Sequence, residues 1–294
     1  MSASPGVGGM KPQRSTFVTR APLRFAVIAI CLIWSLPTVG LLVSSLRDAR
    51  EITQTGWWEA LLNPFATMWT TANYQAVLGT ENMANAFINS LIVTLPSTII
   101  PVTVAAFAAY AFAWMRFPLR RTLFLVVVAL LVVPLQMALI PVLELYRTLG
   151  LNNSFLGVWL AHTAFGLPLA IFLLYNFISQ LPGDLFETAS IDGATHFQMF
   201  TRVVLPLSVP ALAAFAIFQF LWVWNDLLVA LVFLSAEAEQ SVMTLELSRL
   251  VGGRGQQWHL LTAGAFVTMI LPVTVFLLLQ RYFVRGILSG SVKG

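Results

Sequence analysis

The sequence predicts an all-α, polytopic membrane protein with six transmembrane helices and both ends on the inner side. Three observations predict it. Hydrophobic residues make up 58% of the 294 and charged residues only 10%, where a soluble domain carries about 25% charge. The mean hydropathy is +0.83. Uncharged apolar stretches recur along the chain at the length needed to cross about 30 Å of hydrocarbon, roughly 20 helical residues. Two soluble domains could not cover that much apolar surface, so a soluble enzyme and a DNA-binding domain are excluded.

The first 20 residues are rich in Ser, Gly and Pro and are expected to be a disordered tail; residues 21–294 form one membrane domain. The first span, Phe25–Leu46, exceeds the roughly 7–15 residues of a signal-peptide core and is followed by no small-residue cleavage site, so it reads as retained. Its Cys31 is the single cysteine, which permits no internal disulfide. The second span lies within Ala86–Met115, with Ala105, Ala109 and Ala113 on one face, a stripe that lets helices pack closely in lipid. The third is Thr122–Leu143, where Pro134 and Pro141 should kink the helix. The fourth is Phe155–Ile178, the fifth Leu205–Asn225 and the sixth Leu260–Leu279.

Basic residues set the orientation. With the N-terminus inside, inner segments carry eleven of the sixteen Lys and Arg, and nine of the twelve acids fall outside. In a soluble chain the net charge of +4 would suggest nucleic acid; here it reports topology. There is no G-x-x-x-x-G-K-[ST] phosphate loop, H-E-x-x-H pair or G-x-S-x-G elbow. His162, His196 and His259 are far apart in sequence. No metal site, bound cofactor or catalytic residue is expected.

The inner loop between spans four and five, about residues 180–207, is long for a passive connector, which usually needs about 2–8 residues. It reads LPGDLFETASIDGATHFQMFTRVVLPL. Pro182 and Gly183 stop the preceding helix, and Asp184 can cap a new one. Asp192-Gly193 signals a turn. A second short helix, Ala194–Val203, places Phe197 and Phe200 on one face, and Leu205-Pro206 redirects the chain into the membrane. This helix–turn–helix with exposed apolar side chains suits a groove on a soluble partner; the alternative is an amphipathic stretch on the lipid surface. Its three acids and single Arg202 favour the groove.

Glu187-Thr188-Ala189, three residues, Gly193, nine residues, Val203, one residue and Leu205-Pro206 resemble the EAA motif of membrane subunits in bacterial ABC importers. Thr188 replaces the middle Ala and Val203 an Ile. Further pieces resemble the second permease subunit of maltose-type carbohydrate importers: Asn73-Tyr74, Asn89-Ser90-Leu91, Ala109-Tyr110-Ala111-Phe112 with Arg116-Phe117, Pro134 with Gln136 and Pro141, Trp224-Asn225-Asp226, and the terminal Gly290-Ser291-Val292-Lys293-Gly294.

The resemblance implies a type I ABC importer permease fold with a cytoplasmic coupling helix, in a bacterial inner membrane. It implies a second permease subunit, two ATPase subunits that hold ATP and Mg, and an extracytoplasmic sugar-binding protein as partners. An oligosaccharide or α-glucoside is the expected cargo. Glu187, Ala189, Asp192, Gly193, Ala194, Phe197, Phe200, Leu205 and Pro206 would dock on an ATPase. Val292, Lys293 and Gly294 would reach the ATPase dimer. Trp224, Asn225 and Asp226 are pathway candidates, although Asp226 also suits a cap at the outer end of the fifth span. A non-sugar solute is the alternative cargo. An ion-coupled transporter would need several intramembrane carboxylates, and only Asp226 is a candidate.

Overall fold

The computed structural model describes residues 21–79, 82–234, 239–252 and 257–289. The N-terminal tail and the Val292, Lys293 and Gly294 tip lie outside them. Every regular element among the described residues is helical, apart from one isolated bridge between Arg47 and Trp69.

Helix α1, Ala21–Ser45, buries its side chains toward its C-terminal end and leaves Phe25, Leu32 and Trp34 exposed. Three short helices follow on the outer side of the predicted topology: α2 Ala49–Gln54, α3 Trp57–Leu62 and α4 Ala72–Gly79. They are tied down by polar groups. Asn73 Nδ2 donates to the carbonyls of Ser45 and Arg47, and buried Arg47 pairs with Glu51 at 3.7 Å and bonds Thr55.

Helix α5, Met83–Trp114, runs through Pro96 and Pro101 without breaking. The third span differs. It comprises α6, Arg120–Leu130, and α7, Leu135–Leu149, bent by 101°. The expected kink at Pro134 is therefore a corner. Pro134 caps α7 in an extended conformation, and the three preceding residues close tight i→i+3 turns. A proline disfavours helical geometry in the residue before it and removes a donor. Pro96 and Pro101 impose the same local constraints, but α5 is packed along its length against α8, Phe155–Ile178. The turn 131–134 has no such support and is exposed throughout. Five helices are thus long and apolar enough to cross a membrane, with the bent pair as a sixth.

The loop between spans four and five forms α9, Gly183–Ile191, and α10, His196–Met199. A π turn, Phe200–Val204, then joins α10 to α11, Leu205–Trp224. Beyond it come α12 Leu228–Phe233, α13 Met243–Gly252 and α14 Trp258–Ser289. α5, α8, α11 and α14 make the bundle core. Ala105 and Ala109 are fully buried in the α5–α8 contact, as small residues at this spacing allow.

Candidate functional site

Helix α9 opens at Pro182 and Gly183, two residues earlier than an Asp184 cap would set it; Asp184 sits exposed in the first turn, where its charge complements the helix dipole's positive end. The helix ends in a Schellman motif. The Ala194 N–H donates to the Ala189 carbonyl at 2.9 Å, and the Gly193 N–H to that of Ser190 at 3.1 Å. This geometry needs a left-handed residue, and Gly193 supplies it with φ of +76°. A capping box then starts α10: Thr195 Oγ1 accepts from the Gln198 amide, and the Thr195 amide donates to Gln198 Oε1 at 2.8 Å. Both ends of the turn are satisfied without help from outside.

The loop has a buried face and an open one. Glu187, Asp192, Leu205 and Pro206 are exposed, Ala189 and Ala194 half-buried. Ile191 is 86% and Phe197 67% exposed. Phe200 departs from the expectation that it shares the open face with Phe197. It is 4% exposed and stacks on Phe107 with ring centres 4.4 Å apart. The π turn beginning at Phe200 widens the helix there, so the i, i+3 pairing with Phe197 is lost. The same turn carries α10 into α11 as one unbroken 29-residue span, His196–Trp224. Leu205-Pro206 therefore does not redirect the chain: Pro206 falls in the first turn of α11, where a missing amide is tolerated.

Two aromatic clamps fasten this loop to α5. Trp114 stacks on Phe186 at 3.7 Å with 17° between the rings, and its indole N–H donates to the Ile178 carbonyl at 3.0 Å. Tyr110 Oη meets His196 Nδ1 at 3.0 Å. Sequence reasoning missed these anchors. Their signal was an aromatic residue beside Glu187 and another three to four positions from the end of a span.

The pathway candidates sit at the opposite end. Trp224 is 2% exposed, donates to the Thr268 carbonyl at 3.0 Å and packs edge-on to Phe87; it ties α11 to α14 and α5. Asn225 turns back to the Leu221 carbonyl at 2.7 Å. Asp226 caps α12, accepting from Val229 at 2.8 Å and Ala230 at 3.3 Å. Burial pushes its carboxyl above the usual range, and the backbone amides of Val229, Ala230 and Leu228 pull it back.

A cleft of about 500 Å³ opens elsewhere, between the α6–α7 corner, α8 and α11. Phe165, Gly166, Gln219 and Trp222 are among its lining residues. A polar seam lies on the helices around it and on α5. Ser97 Oγ and Thr94 Oγ1 of α5, His162 Nδ1 and Thr163 Oγ1 of α8, and Gln219 Oε1 of α11 are buried without a hydrogen-bond partner. Each such atom costs about 1–3 kcal/mol. The only sequence signal for Gln219 was a polar residue inside the apolar run of the fifth span.

The segment between spans five and six contains α13, which is anchored. Asn89 Nδ2 donates to the Glu239 and Ser241 carbonyls, and the Met243 amide donates to Ser90 Oγ. Gly253 and Gly255 lie outside the described residues.

The chain is similar to known proteins along most of its length. Residues 101–289 match the model of a family described as binding-protein-dependent transport system inner membrane component. An osmoprotective compounds uptake permease protein of Synechocystis sp. is 56% identical, over 96% of this chain and 95% of its own length. An alpha-glucoside transport system permease protein of Rhizobium meliloti is 41% identical, over 97% of this chain and 100% of its own. The fold matches a chain in the crystal structure of a bacterial ABC transporter that imports alginate, with a TM-score of 0.71 at 19% identity, covering 94% of this chain and 100% of that one.

Proposed function

The chain belongs to the binding-protein-dependent transport system inner membrane components, and from that premise we propose that it is one of two permease subunits of an ATP-driven importer for small α-glucosides, crossing the bacterial inner membrane six times with both ends inside. The observation that carries the reading is the loop 180–207. It has the spacing of the EAA motif, it is internally satisfied and clamped to α5, and it presents Glu187, Ile191 and Phe197 outward. An ATPase groove covers that face and leaves the backbone as it is.

The remaining parts follow from this placement. Two ATPase subunits close on ATP and move the coupling loops. Force enters α5 through Trp114–Phe186 and Tyr110–His196, and enters α11 directly because α10 is continuous with it. The helices then rock between inward-open and outward-open states around a central path. A second permease supplies the other wall, and an extracytoplasmic binding protein delivers the cargo. The 292–294 tip extends toward the ATPase dimer. This chain holds no nucleotide; ATP and Mg belong to the ATPase subunits.

The names of the relatives support an α-glucoside as cargo: alpha-glucoside transport in one, and trehalose transport in a Mycobacterium tuberculosis permease 36% identical over 76% of this chain. A non-sugar osmoprotectant is the second reading, compatible with the name of the 56% identical relative, an osmoprotective compounds uptake permease. Uptake by the reconstituted importer separates the two: trehalose transport with no glycine betaine transport supports the sugar, and the reverse overturns it. Glu187→Lys tests the docking role. The variant is expected to insert normally and lose ATP-driven uptake and ATPase co-purification; normal uptake refutes docking there.

A further inference from the structure

The turn that carries α5 into α6 gathers three arginines, Arg116, Arg120 and Arg121, around a cavity of about 350 Å³ that Phe117, Leu119 and Thr122 also line. The turn is held in shape from within. Arg120 Nη1 donates to the Met115 carbonyl at 2.9 Å, which closes the turn on itself, and Leu119 stands in the left-handed region with φ of +59°. Phe117 packs on Phe112 with ring centres 5.9 Å apart, and Phe112 on Phe124 of α6 at 5.5 Å. Arg116 and Arg121 are exposed.

No acid of the chain balances this charge. Arg47 and Arg249 each meet a glutamate, at 3.7 and 2.6 Å. Among the described residues no carboxylate lies within ion-pair distance of Arg116, Arg120 or Arg121, and the sequence has no Asp or Glu between Glu81 and Glu144. Three like charges in six residues repel one another, and an anion placed among them relieves that repulsion.

The surface beside the cavity identifies what carries the anion. No charged residue occurs between Arg121 and Glu144. Leu119, Leu123, Val126 and Leu130 are all exposed and, at spacings of four, three and four, fall in one stripe along α6. Helix α6 has 11 residues, a rise of about 16 Å, which is about half of a 30 Å hydrocarbon core. The element is one leaflet deep, with cations at its headgroup end and an aliphatic track beyond them. A soluble acidic protein would match the arginines and leave the track bare. A phospholipid matches both.

We propose that the α5–α6 turn is a binding site for an anionic phospholipid of the inner leaflet, with the phosphate in the cavity between Arg116 and Arg121 and an acyl chain along Leu119, Leu123, Val126 and Leu130. Arg120 is a positioning residue that braces the turn through Met115. The headgroup is selected by charge, because a zwitterionic lipid brings its own cation to the arginines. The site goes beyond the transport reading and is independent of the cargo; it uses only the membrane placement of α5 and α6. Trp114, one residue before Met115, stacks on Phe186, so the bound lipid fastens the end of α5 that holds the loop 180–207.

The test places the complete importer in phosphatidylcholine nanodiscs doped with a small fraction of a phospholipid that carries a photoactivatable diazirine on its acyl chain, and maps the labelled peptides by mass spectrometry. Labelling within 117–130 is expected to be at least about fivefold stronger with a phosphatidylglycerol probe than with a phosphatidylcholine probe. Arg116→Gln combined with Arg121→Gln should bring that ratio close to one, while Arg147→Gln at the opposite end of the bent span leaves it unchanged. Equal labelling by the two probes, or a preference that survives the double substitution, overturns the site. Should the double variant fail to assemble, the wild-type importer decides: raising the salt from about 0.05 to about 0.5 M is expected to lower the ratio at least about threefold, and an unchanged ratio refutes the site. Glycerol 3-phosphate at the probe's own concentration separates the lipid from a soluble phosphate ester. Labelling that persists in its presence assigns the site to the lipid, and labelling abolished by it overturns that assignment.

Discussion

The loop 180–207 and the polar seam of α5, α8 and α11 are opposite kinds of incompleteness. In the loop every turn amide that matters is paired, by a Schellman motif and a capping box, yet Ile191 and Phe197 are left in the open. In the seam Thr94, Ser97, His162, Thr163 and Gln219 each bury an atom with no protein partner. Burying apolar area is worth about 25 cal/mol per Å², and pairing a buried polar atom removes a penalty of about 1–3 kcal/mol. The loop thus leaves apolar area uncovered, and the seam leaves buried polar atoms without a protein partner.

The largest expected effect breaks the loop side of this comparison from within. Phe186 is 7% exposed and stacked on Trp114. Phe186→Ala removes the clamp, and truncating a buried Phe costs about 3–5 kcal/mol. Amide exchange over 183–199 should rise about a hundredfold or more, since each 1.4 kcal/mol is tenfold, while the bundle core stays protected. Equal loosening of α8 would show that the loop has no separate anchor. Gly193→Val comes next. Nothing lies within 4 Å of a Cβ built there, so the cost is conformational, about 1–2 kcal/mol for a left-handed residue. ATPase co-purification should weaken while expression is unchanged; wild-type recovery of the ATPase would mean that the turn needs no glycine.

On the seam side, Gly166→Ala sharpens the contrast. A methyl group 2.7 Å from Gln219 Oε1 must displace the amide, and overpacking of this kind costs about 1–3 kcal/mol. Uptake should fall more than thermal stability does. A large drop in melting temperature with proportionate loss of activity would mark Gly166 as a packing residue only.

The two regions also differ in how far the sequence reveals them. The loop was legible because its spacing is local: Pro-Gly, Asp-Gly and the acids define two short helices within about 25 residues, a length within ordinary helix–turn–helix reach. What it concealed was facing. Phe197 and Phe200 read alike until the π turn separates them. The spans were legible from length and apolarity, but not the corner at Pro134, because Pro96, Pro101 and Pro168 have the same local chemistry and sit inside continuous helices. Packing decides which proline becomes a corner, and packing is not a local property. The cleft was less legible still, since Gly166 and Gln219 are over fifty residues apart and meet only in the bundle.

Asp226 gives the smallest effect and the cleanest discrimination. Sequence placed it among pathway candidates, and the structure places its carboxylate on the α12 amides of Val229 and Ala230. A cap of this kind contributes about 1 kcal/mol, and Asn serves nearly as well as Asp in that position. Asp226→Asn should therefore retain uptake and stability, whereas Asp226→Ala should lose about 1 kcal/mol with uptake lowered no more than stability predicts. A residue whose charge met the cargo would respond the other way: Asn would already abolish the effect of the charge, and uptake would fall with the fold intact. Measuring uptake and melting temperature for both variants decides between a helix cap and a transport residue, because only the second lets the two readouts separate.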